Sequence, residues 1–175
     1  MGIFSEIKKN KRVLFLDIDG VLADCTHRLK YIKGKKKDYD KFYGEVSKDT
    51  PLQEYDFITN LSEAYNGNVV FLTGRRQSCS QDTLEWLRKH YGLPKDEATL
   101  ICREDGDHRP APECKAEGAV QYIKHEFSNG HKIKACMVVD DMQENVQAVV
   151  DALSEVGVKR VMGCLYNDGS VTQES

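Results

Sequence analysis

The stretch that decides the fold is Val13-Leu14-Phe15-Leu16-Asp17-Ile18-Asp19-Gly20-Val21. Its apolar start is typical of a central strand in a parallel sheet, and the strand ends in two carboxylates. A second apolar run, residues 136–139, ends in the same way in Asp140 and Asp141. Because ligands bind beyond the carboxyl ends of parallel strands, we expect both pairs to face one crevice. Four carboxylates repel one another unless a cation lies among them, and hard oxygen ligands favour Mg²⁺.

The rest of the chain alternates between strand and helix patterns. Strands are predicted at about 12–18, 68–72, 98–102, 133–139 and 158–165, and helices at about 50–66, 84–91, 112–127 and 146–153. The first helix is expected to begin at Thr50-Pro51, as N-cap and first helical residue. The alternation predicts a Rossmann-like three-layer α/β/α fold with a parallel sheet of about five strands. Nothing regular is expected after Asn167.

Length and composition place further bounds on the protein. The 175 residues suit one domain (1–175), with a small cap insert at about 24–50, after the first strand. A net charge of −3 gives no general affinity for polyanions, so any nucleic-acid contact must come from a local patch. Six cysteines without C-x-x-C spacing indicate reduced thiols in a cytoplasmic protein. No apolar run approaches transmembrane length, and the run at residues 1–6 is too short for a signal peptide.

Four features at the ends of strands and helices carry the functional hypothesis. They are Asp17/Asp19, the turn Thr73-Gly74-Arg75, Lys115 at the start of a helix, and Asp140/Asp141 followed by Asn145. Each has an ordinary structural alternative, since Asp and Thr cap turns and helices and a helical lysine is usually solvated. In this order, over residues 12 to about 150, the set resembles the four motifs of the haloacid dehalogenase (HAD) superfamily of phosphotransferases.

That resemblance implies a role for each residue. Asp17 is the nucleophile that forms an aspartyl-phosphate, and Asp19 is the general acid and base. Thr73 and the backbone N–H groups beside it, including that of Gly74, hold the phosphoryl oxygens, and Lys115 offsets the developing charge. Asp140 and Asp141 complete a Mg²⁺ site with Asp17 and the backbone carbonyl of Asp19. Asn145 is expected to orient a ligand of the metal.

Further details resemble the phosphatase module of polynucleotide kinase-phosphatases. An arginine, Arg28, follows Asp19 by nine residues, Arg75 follows Thr73-Gly74, and Arg109 precedes Lys115 by six residues. The resemblance implies that these arginines bind substrate, because planar guanidinium groups grip phosphate oxygens bidentately. One position departs from the pattern, since Ala111 stands where that group has an Asp four residues before the lysine.

The substrate class remains open at this point. No G-x-x-x-x-G-K-[ST] motif occurs, so neither a kinase half nor ATP is expected. The segment from Arg28 to Lys41 carries seven basic residues and two tyrosines, which suit either a cationic rim for a phosphorylated polymer or a solvated loop. The favoured partner is a phosphorylated substrate, a nucleic-acid end (3′ favoured) or a nucleotide. The rivals are a sugar phosphate or other small metabolite and, from another class, a non-catalytic binding module. The sequence fixes no oligomeric state.

Overall fold

The central feature is a six-stranded sheet with strand order β5-β4-β1-β6-β7-β8. The computed structural model describes residues 10–66, 68–94, 98–167 and 170–173. The strands are β1 (Asn10–Leu16), β2 (Ala23–Asp24), β3 (Thr50–Pro51), β4 (Val69–Arg76), β5 (Thr99–Arg103), β6 (Lys132–Asp140), β7 (Val161–Asn167) and β8 (Ser170–Gln173). The first five strands of that order run parallel, and β8 is antiparallel to β7.

Within the described parts of the chain, five α-helices join these strands. They are α1 (Tyr39–Gly44), α2 (Phe57–Ala64), α3 (Ser80–Tyr91), α4 (Ala111–Ser128) and α5 (Gln143–Glu155). Short 3₁₀ helices span Thr26–Tyr31, Val46–Lys48 and Gln77–Cys79. Among the described residues, no helix is long and apolar enough to cross a membrane.

Two apolar clusters cover the two faces of the sheet. Leu14 and Leu16 of β1 pack with Trp86 and Leu87 of α3 in one cluster. Val13 and Phe15 point the other way, and they pack with residues of α4 and α5 such as Ala119, Ile123 and Val149. The side chains of a strand alternate between its faces, and both faces of β1 are covered from Val13 to Leu16, so this part of the strand is apolar at every position. The three-layer α/β/α fold predicted from the sequence is confirmed.

The position of β1 between β4 and β6 brings the predicted site residues together. Leu16 is in register with Phe71 of β4 on one side and with Val139 of β6 on the other. The carboxyl ends of these three strands therefore lie side by side, and the motifs after them meet at one edge of the sheet. Asp17 N donates to Val139 O at 2.9 Å, which extends this pairing to the first carboxylate residue.

The sequence predicted that the first helix begins at Thr50-Pro51, and this prediction is wrong. Thr50 and Pro51 form β3, antiparallel to β2, and Leu52 N donates to Leu22 O at 2.9 Å. The helix α2 begins at Phe57, six residues after Pro51. A proline with φ near −65° suits a short edge strand as well as a first helical turn, and here the backbone pairing decides. The predicted end of this helix at Asn66-Gly67 includes Gly67, which lies outside the described residues.

The chain after Asn167 also differs from the expectation. Residues 170–173 form β8, which pairs with β7 in the register Asn167↔Ser170 and Cys164↔Gln173. Polar side chains in a short segment carry no strong strand signal, whereas an unpaired edge strand offers backbone groups to any nearby segment. The expectations for residues 1–6 fall outside the described residues.

Candidate active site

Three carboxylates converge at the carboxyl edge of the sheet. Asp17 follows β1, Asp140 ends β6, and Asp141 follows it, and one oxygen of each lies within 4.8 Å of the others. Asp17 and Asp140 are buried, with 5% and 3% of their surface exposed. The sequence predicted this convergence from the two strand ends. The arrangement gathers hard oxygen ligands around a single point, as a Mg²⁺ site requires.

A buried lysine completes this cluster. Lys115, on the first turns of α4, places Nζ 2.9 Å from Asp17 Oδ1 and 2.6 Å from Asp140 Oδ2. The other oxygen of Asp140 accepts hydrogen bonds from Met142 N at 3.0 Å and Asn145 Nδ2 at 2.9 Å. Both oxygens of Asp140 are therefore occupied by donors of the protein. This geometry favours an orienting role for Asp140, held in place by Asn145.

A second ionic cluster holds Asp19. Its Oδ1 accepts from Arg28 Nη2 at 2.6 Å, and from Arg75 Nη2 at 2.6 Å and Nε at 3.1 Å. Both arginine side chains are fully buried, whereas 26% of the Asp19 side chain is exposed. The guanidinium groups thus lie behind the carboxylate, which faces the crevice. The resemblance implied that Arg28 and Arg75 grip the substrate, and the structure places them on Asp19 instead.

Asp49 links the two arginines, and the sequence reasoning did not find it. Its carboxylate accepts from Arg28 Nε at 2.8 Å and Nη2 at 2.9 Å, and from Arg75 Nη2 at 2.6 Å. His27 Nε2 lies 2.8 Å from Asp49 Oδ1, and Trp86 Nε1 donates to the Asp49 backbone carbonyl at 2.7 Å. Asp49 directly precedes β3. Because a helix was predicted to begin at Thr50, the pairing that brings Asp49 beside the arginines was not predicted. An acid just before a predicted helix start gave no signal by itself.

Thr73 and Gly74 were predicted in a turn, but they lie in the carboxyl-terminal half of β4, which brings them to the same end of the sheet. Thr73 is buried, and its Oγ1 accepts from Arg75 N at 3.2 Å. Gly74 has open space where a Cβ would stand, so its backbone is accessible to a ligand. Tyr43, from α1, donates its hydroxyl hydrogen to Gly74 O at 3.2 Å. The segment between β2 and β3 therefore touches the residues that were predicted to bind phosphate.

Arg109 lies in a different environment. Its guanidinium is bonded to Asp107 at 2.7 Å and to Glu117 at 2.6 Å, and 48% of its side chain is exposed. None of its described ion pairs involves Asp17, Asp19, Asp140 or Asp141. The structure thus does not bring Arg109 into direct contact with the acidic cluster.

Not all basic residues of the segment from Arg28 to Lys41 are exposed. Arg28 is withdrawn into the Asp19 cluster, whereas six lysines between residues 30 and 41 are exposed: Lys30, Lys33, Lys35, Lys36, Lys37 and Lys41. Beside them, Tyr39 and Tyr43 stack with ring centroids 6.3 Å apart. The Arg76 guanidinium lies 5.4 Å and 5.1 Å from the same two rings. An aromatic and cationic surface therefore borders the crevice.

Charge counting shows which of the two clusters needs a cation. Asp19 and Asp49 face Arg28 and Arg75, so two negative charges meet two positive ones. In the first cluster, three carboxylates meet only Lys115, so three negative charges and one positive charge leave −2. Asp17 Oδ1 is buried, and its contact with Lys115 is an ion pair without the alignment of a hydrogen bond. A divalent cation fits this donor set in both charge and ligand type.

The directions of the pKa shifts agree with this difference in charge between the two clusters. Burial raises the pKa of Asp17 to about 8, with Lys115 opposing the rise and Asp140 and Asp19 adding to it. Burial, and then repulsion by Asp140, raises the pKa of Asp141 to about 6. For Asp19 the arginines prevail over burial, and Arg75 and then Arg28 hold its pKa below the usual value. The first cluster resists full ionisation without a cation, whereas the carboxylate of Asp19 is already stabilised.

Comparisons with known proteins agree with this geometry. The family described as the polynucleotide kinase PNKP phosphatase domain matches residues 11–162. The HAD domain of the effector protein Lem4 from Legionella pneumophila has a similar fold, with a TM-score of 0.58 and 13% identity over 93% of this chain and 90% of that one. A chain of the Pnkp1/Rnl/Hen1 complex gives a TM-score of 0.54 and 18% identity over 90% of this chain and 46% of its own length. No curated protein matches.

Fold, site and family match together define a phosphatase of the HAD superfamily. Within that class, the chain belongs to the family of polynucleotide kinase phosphatase domains, whose features extend over residues 11–162.

Proposed function

We propose that this phosphatase is a Mg²⁺-dependent phosphomonoesterase that acts through an aspartyl-phosphate, on nucleic-acid ends, with 3′-phosphates favoured, or on nucleotides. The observation that carries the proposal is the meeting of Asp17, Asp140 and Asp141 within 4.8 Å, beside Lys115 and the arginine-bound Asp19. Asp17 and Asp141, with the backbone carbonyl of Asp19, would hold the metal, and Asp140 would orient the site. The metal, when bound, offsets the charge of the phosphate and of the carboxylate that it meets.

The chain's own residues account for the two chemical steps. A carboxylate oxygen of Asp17 attacks phosphorus, and the bond from phosphorus to the ester oxygen breaks. Asp19, protonated in the substrate complex, gives its proton to that leaving oxygen. The negative charge of the bound phosphate favours this protonated form, against the effect of Arg28 and Arg75.

Asp19 then takes a proton from water as the water oxygen attacks phosphorus. The bond between phosphorus and the Asp17 oxygen breaks, so inorganic phosphate is released and the carboxylate of Asp17 is regenerated. Lys115 and the backbone N–H groups near Thr73 and Gly74 stabilise the charge on the phosphoryl oxygens.

The buried arginines serve the second of these carboxylates. With Arg28 and Arg75 both on Oδ1 of Asp19, its Oδ2 is left to face the crevice. A general acid works only within hydrogen-bond reach of its target atom, and two planar guanidinium groups fix a carboxylate in both position and plane. Arg28 and Arg75 are therefore positioning residues in this proposal, rather than the phosphate-gripping residues expected from the sequence.

The surface beside the crevice supports a nucleic-acid substrate. Residues 24–50 form the small cap in this proposal, based at the β2–β3 pair and touching the site through Tyr43 and Gly74. Six exposed lysines would bind phosphates of a polymer, and the Tyr39, Tyr43 and Arg76 stack offers aromatic surface for a base. The family description, polynucleotide kinase PNKP phosphatase domain, supports the same substrate class.

A cytoplasmic location is part of the same proposal. All six cysteines are free, and Cys79, Cys136 and Cys164 are buried. Unpaired buried thiols suit a reducing compartment.

A matched panel of substrates tests the proposal. One oligonucleotide sequence is prepared with a 3′-phosphate, with a 5′-phosphate or with neither, and it is compared with a 3′-mononucleotide and a sugar phosphate at equal Mg²⁺. We expect the highest kcat/KM for the 3′-phosphorylated oligonucleotide. Preference for the sugar phosphate would assign the protein to small metabolites, and no hydrolysis of any substrate would indicate the binding module.

A further inference from the structure

A basic groove lies at the amino-terminal ends of the central strands, whereas the candidate active site lies at their carboxyl ends. It is a cavity of about 760 Å³, and its basic side chains are Arg12, Lys132, Lys134, Lys159 and Arg160. These residues come from the amino-terminal part of β1 and β6 and from the turn just before β7. The carboxylates of the active site follow the carboxyl ends of the same strands. With eight residues from Lys132 to Asp140 at about 3.3 Å each, the two sites are roughly 26 Å apart.

The groove is cationic without local compensation. Among the residues that the structure describes, its lining contains no Asp or Glu, although the whole chain carries a net charge of −3. Within the described residues, no carboxylate oxygen lies within 4.0 Å of an amine or guanidinium nitrogen of these five side chains. The nearby acid, Glu126, is already paired with Lys11 at 2.7 Å and with His131 at 2.9 Å. Arg12 donates to Ala64 O at 3.0 Å and lies 5.8 Å from the Tyr65 ring centroid, but neither partner neutralises its charge. Ordinary surface lysines and acids intermix, so cations without acidic partners around one cavity favour an anionic ligand.

A β-bulge shapes this end of the sheet. Lys11 is in register with Ile133, but Arg12 is in register with Ala135, so Lys134 is the extra residue of β6. The bulge lets Ile133 and Cys136 enter the same apolar cluster although strict alternation would separate them. Lys132 and Lys134 are both exposed on either side of Ile133. Bulges commonly re-aim side chains near functional sites, and this one directs two lysines to the groove.

The spread of the cations identifies the kind of ligand. A single phosphate needs donors that converge on one point, whereas these five side chains come from two strands, β1 and β6, and from the turn before β7. Repeated negative charges on one polymer match such a distribution. Phe127 and Ile133 give the cavity an apolar floor, on which a sugar or base can pack.

We infer that this groove binds the phosphodiester backbone of a single-stranded nucleic acid, as a second attachment surface separate from the catalytic crevice. The inference does not depend on the proposed catalytic function, because binding at the groove requires no phosphate hydrolysis. If the substrate is a nucleic acid, the groove holds a part of the polymer remote from the end being processed.

The test measures binding without catalysis. A fluorescent single-stranded oligonucleotide with hydroxyl groups at both ends is titrated with the full chain in chelator, over a range of salt concentrations, and anisotropy is recorded. The double variant Lys134→Ala/Lys159→Ala should bind more weakly. It should also lose about 1.4 units of the slope of log affinity against log salt, since each single-strand phosphate contact contributes about 0.7.

Three controls make the result specific. Lys134→Arg/Lys159→Arg keeps the charge and should keep the slope. Lys89→Ala removes an exposed lysine of α3 and should leave the slope unchanged. All variants should hydrolyse a small phosphomonoester at the wild-type rate, since no changed residue lies in the crevice. A wild-type slope for the double alanine variant overturns the inference. Poly-glutamate that competes as well as an oligonucleotide of equal charge would assign the groove to an acidic protein segment instead.

Discussion

Arg28 and Asp49 are fully buried and joined by two parallel hydrogen bonds, from Nε to Oδ1 at 2.8 Å and from Nη2 to Oδ2 at 2.9 Å. The same Nη2 reaches Asp19 Oδ1 at 2.6 Å. Asp49 therefore sets the plane of the guanidinium that holds Asp19, the proposed general acid. Arg28 also lies 4.3 Å from the Phe42 ring centroid, so an aromatic face supports the pair from one side.

Replacement of Asp49 should impair acid catalysis selectively. Asp49→Asn removes the charge that aligns both arginines, so Asp19 loses its position. We expect kcat/KM to fall about 100-fold for an alkyl phosphate, whose leaving group needs the proton, and less than about 10-fold for p-nitrophenyl phosphate. The ratio between the two substrates does not depend on how much protein is folded. Equal losses on both would show that Asp49 acts on the fold alone.

The nucleophile has a sharper test. Asp17→Asn keeps the size of the side chain but cannot form the aspartyl-phosphate, so kcat should fall by orders of magnitude. Removal of a carboxylate from a cluster with three acids and one lysine should leave the melting temperature equal or higher in chelator. Both are measured on the same preparation by steady-state kinetics and thermal unfolding. Near wild-type turnover would exclude the mechanism.

Metal binding should depend on pH with a defined sign. The raised pKa of Asp17, about 8, means that the folded chain without metal holds a proton that the unfolded chain releases above about pH 4. Stability in chelator should therefore fall as pH rises from about 4 to 8. Mg²⁺ competes with that proton, so the increase in melting temperature caused by Mg²⁺ should be larger at about pH 8 than at about pH 6. An increase that is independent of pH contradicts this linkage.

Two glycines form a matched pair for the metal site. Gly20 and Gly106 both have φ of +82°, so alanine at either costs about 1 kcal/mol of backbone strain. A Cβ at Gly20 would overlap the Asp141 carboxylate, whereas one at Gly106 meets nothing within 4 Å. Gly20→Ala should therefore weaken Mg²⁺ binding and activity, and Gly106→Ala should lose only stability. Titration of activity with Mg²⁺ checks this, and equal Mg²⁺ requirements would refute the close approach.

The exposed lysines of the proposed cap separate the substrate classes. Changing Lys35, Lys36 and Lys37 together to Ala should raise KM for a 3′-phosphorylated oligonucleotide and flatten its salt dependence, because each lost phosphate contact removes counterion release. The kcat on a small phosphomonoester should hardly change. The two substrates are assayed side by side at several salt concentrations. No change in KM or in salt slope would reduce the segment to a solvated loop.

The sequence predicted the parts of the protein that follow from local patterns. The apolar run before Asp17 and the one before Asp140 gave the central strands, and parallel topology then brought their acids together. Lys115 was placed at a helix start, which the structure shows in α4. Strand ends and helix faces are local properties, so one sequence suffices to recognise them.

The missed features depend on contacts between distant segments. Asp49 is identifiable only once Arg28 and Arg75 are known to be buried beside it, 21 and 26 residues away. Thr50-Pro51 fits a helix start equally well until its pairing with Ala23–Asp24 is known. The groove of basic residues likewise combines positions 12, 132, 134, 159 and 160, which no local window contains. Tertiary pairing decided each of these cases.

The placement of Asp17 on the central strand has a consequence for how activity is lost. Its amide hydrogen bonds to Val139 O, and the preceding strand lies between two others, so this bond can open only when the sheet itself comes apart. We expect the Asp17 amide to be among the slowest to exchange with deuterated solvent, whereas the two-residue β2–β3 ladder should exchange early. In mild denaturant, the enzyme should thus lose the alignment of its general acid first and keep a fully formed nucleophile until global unfolding.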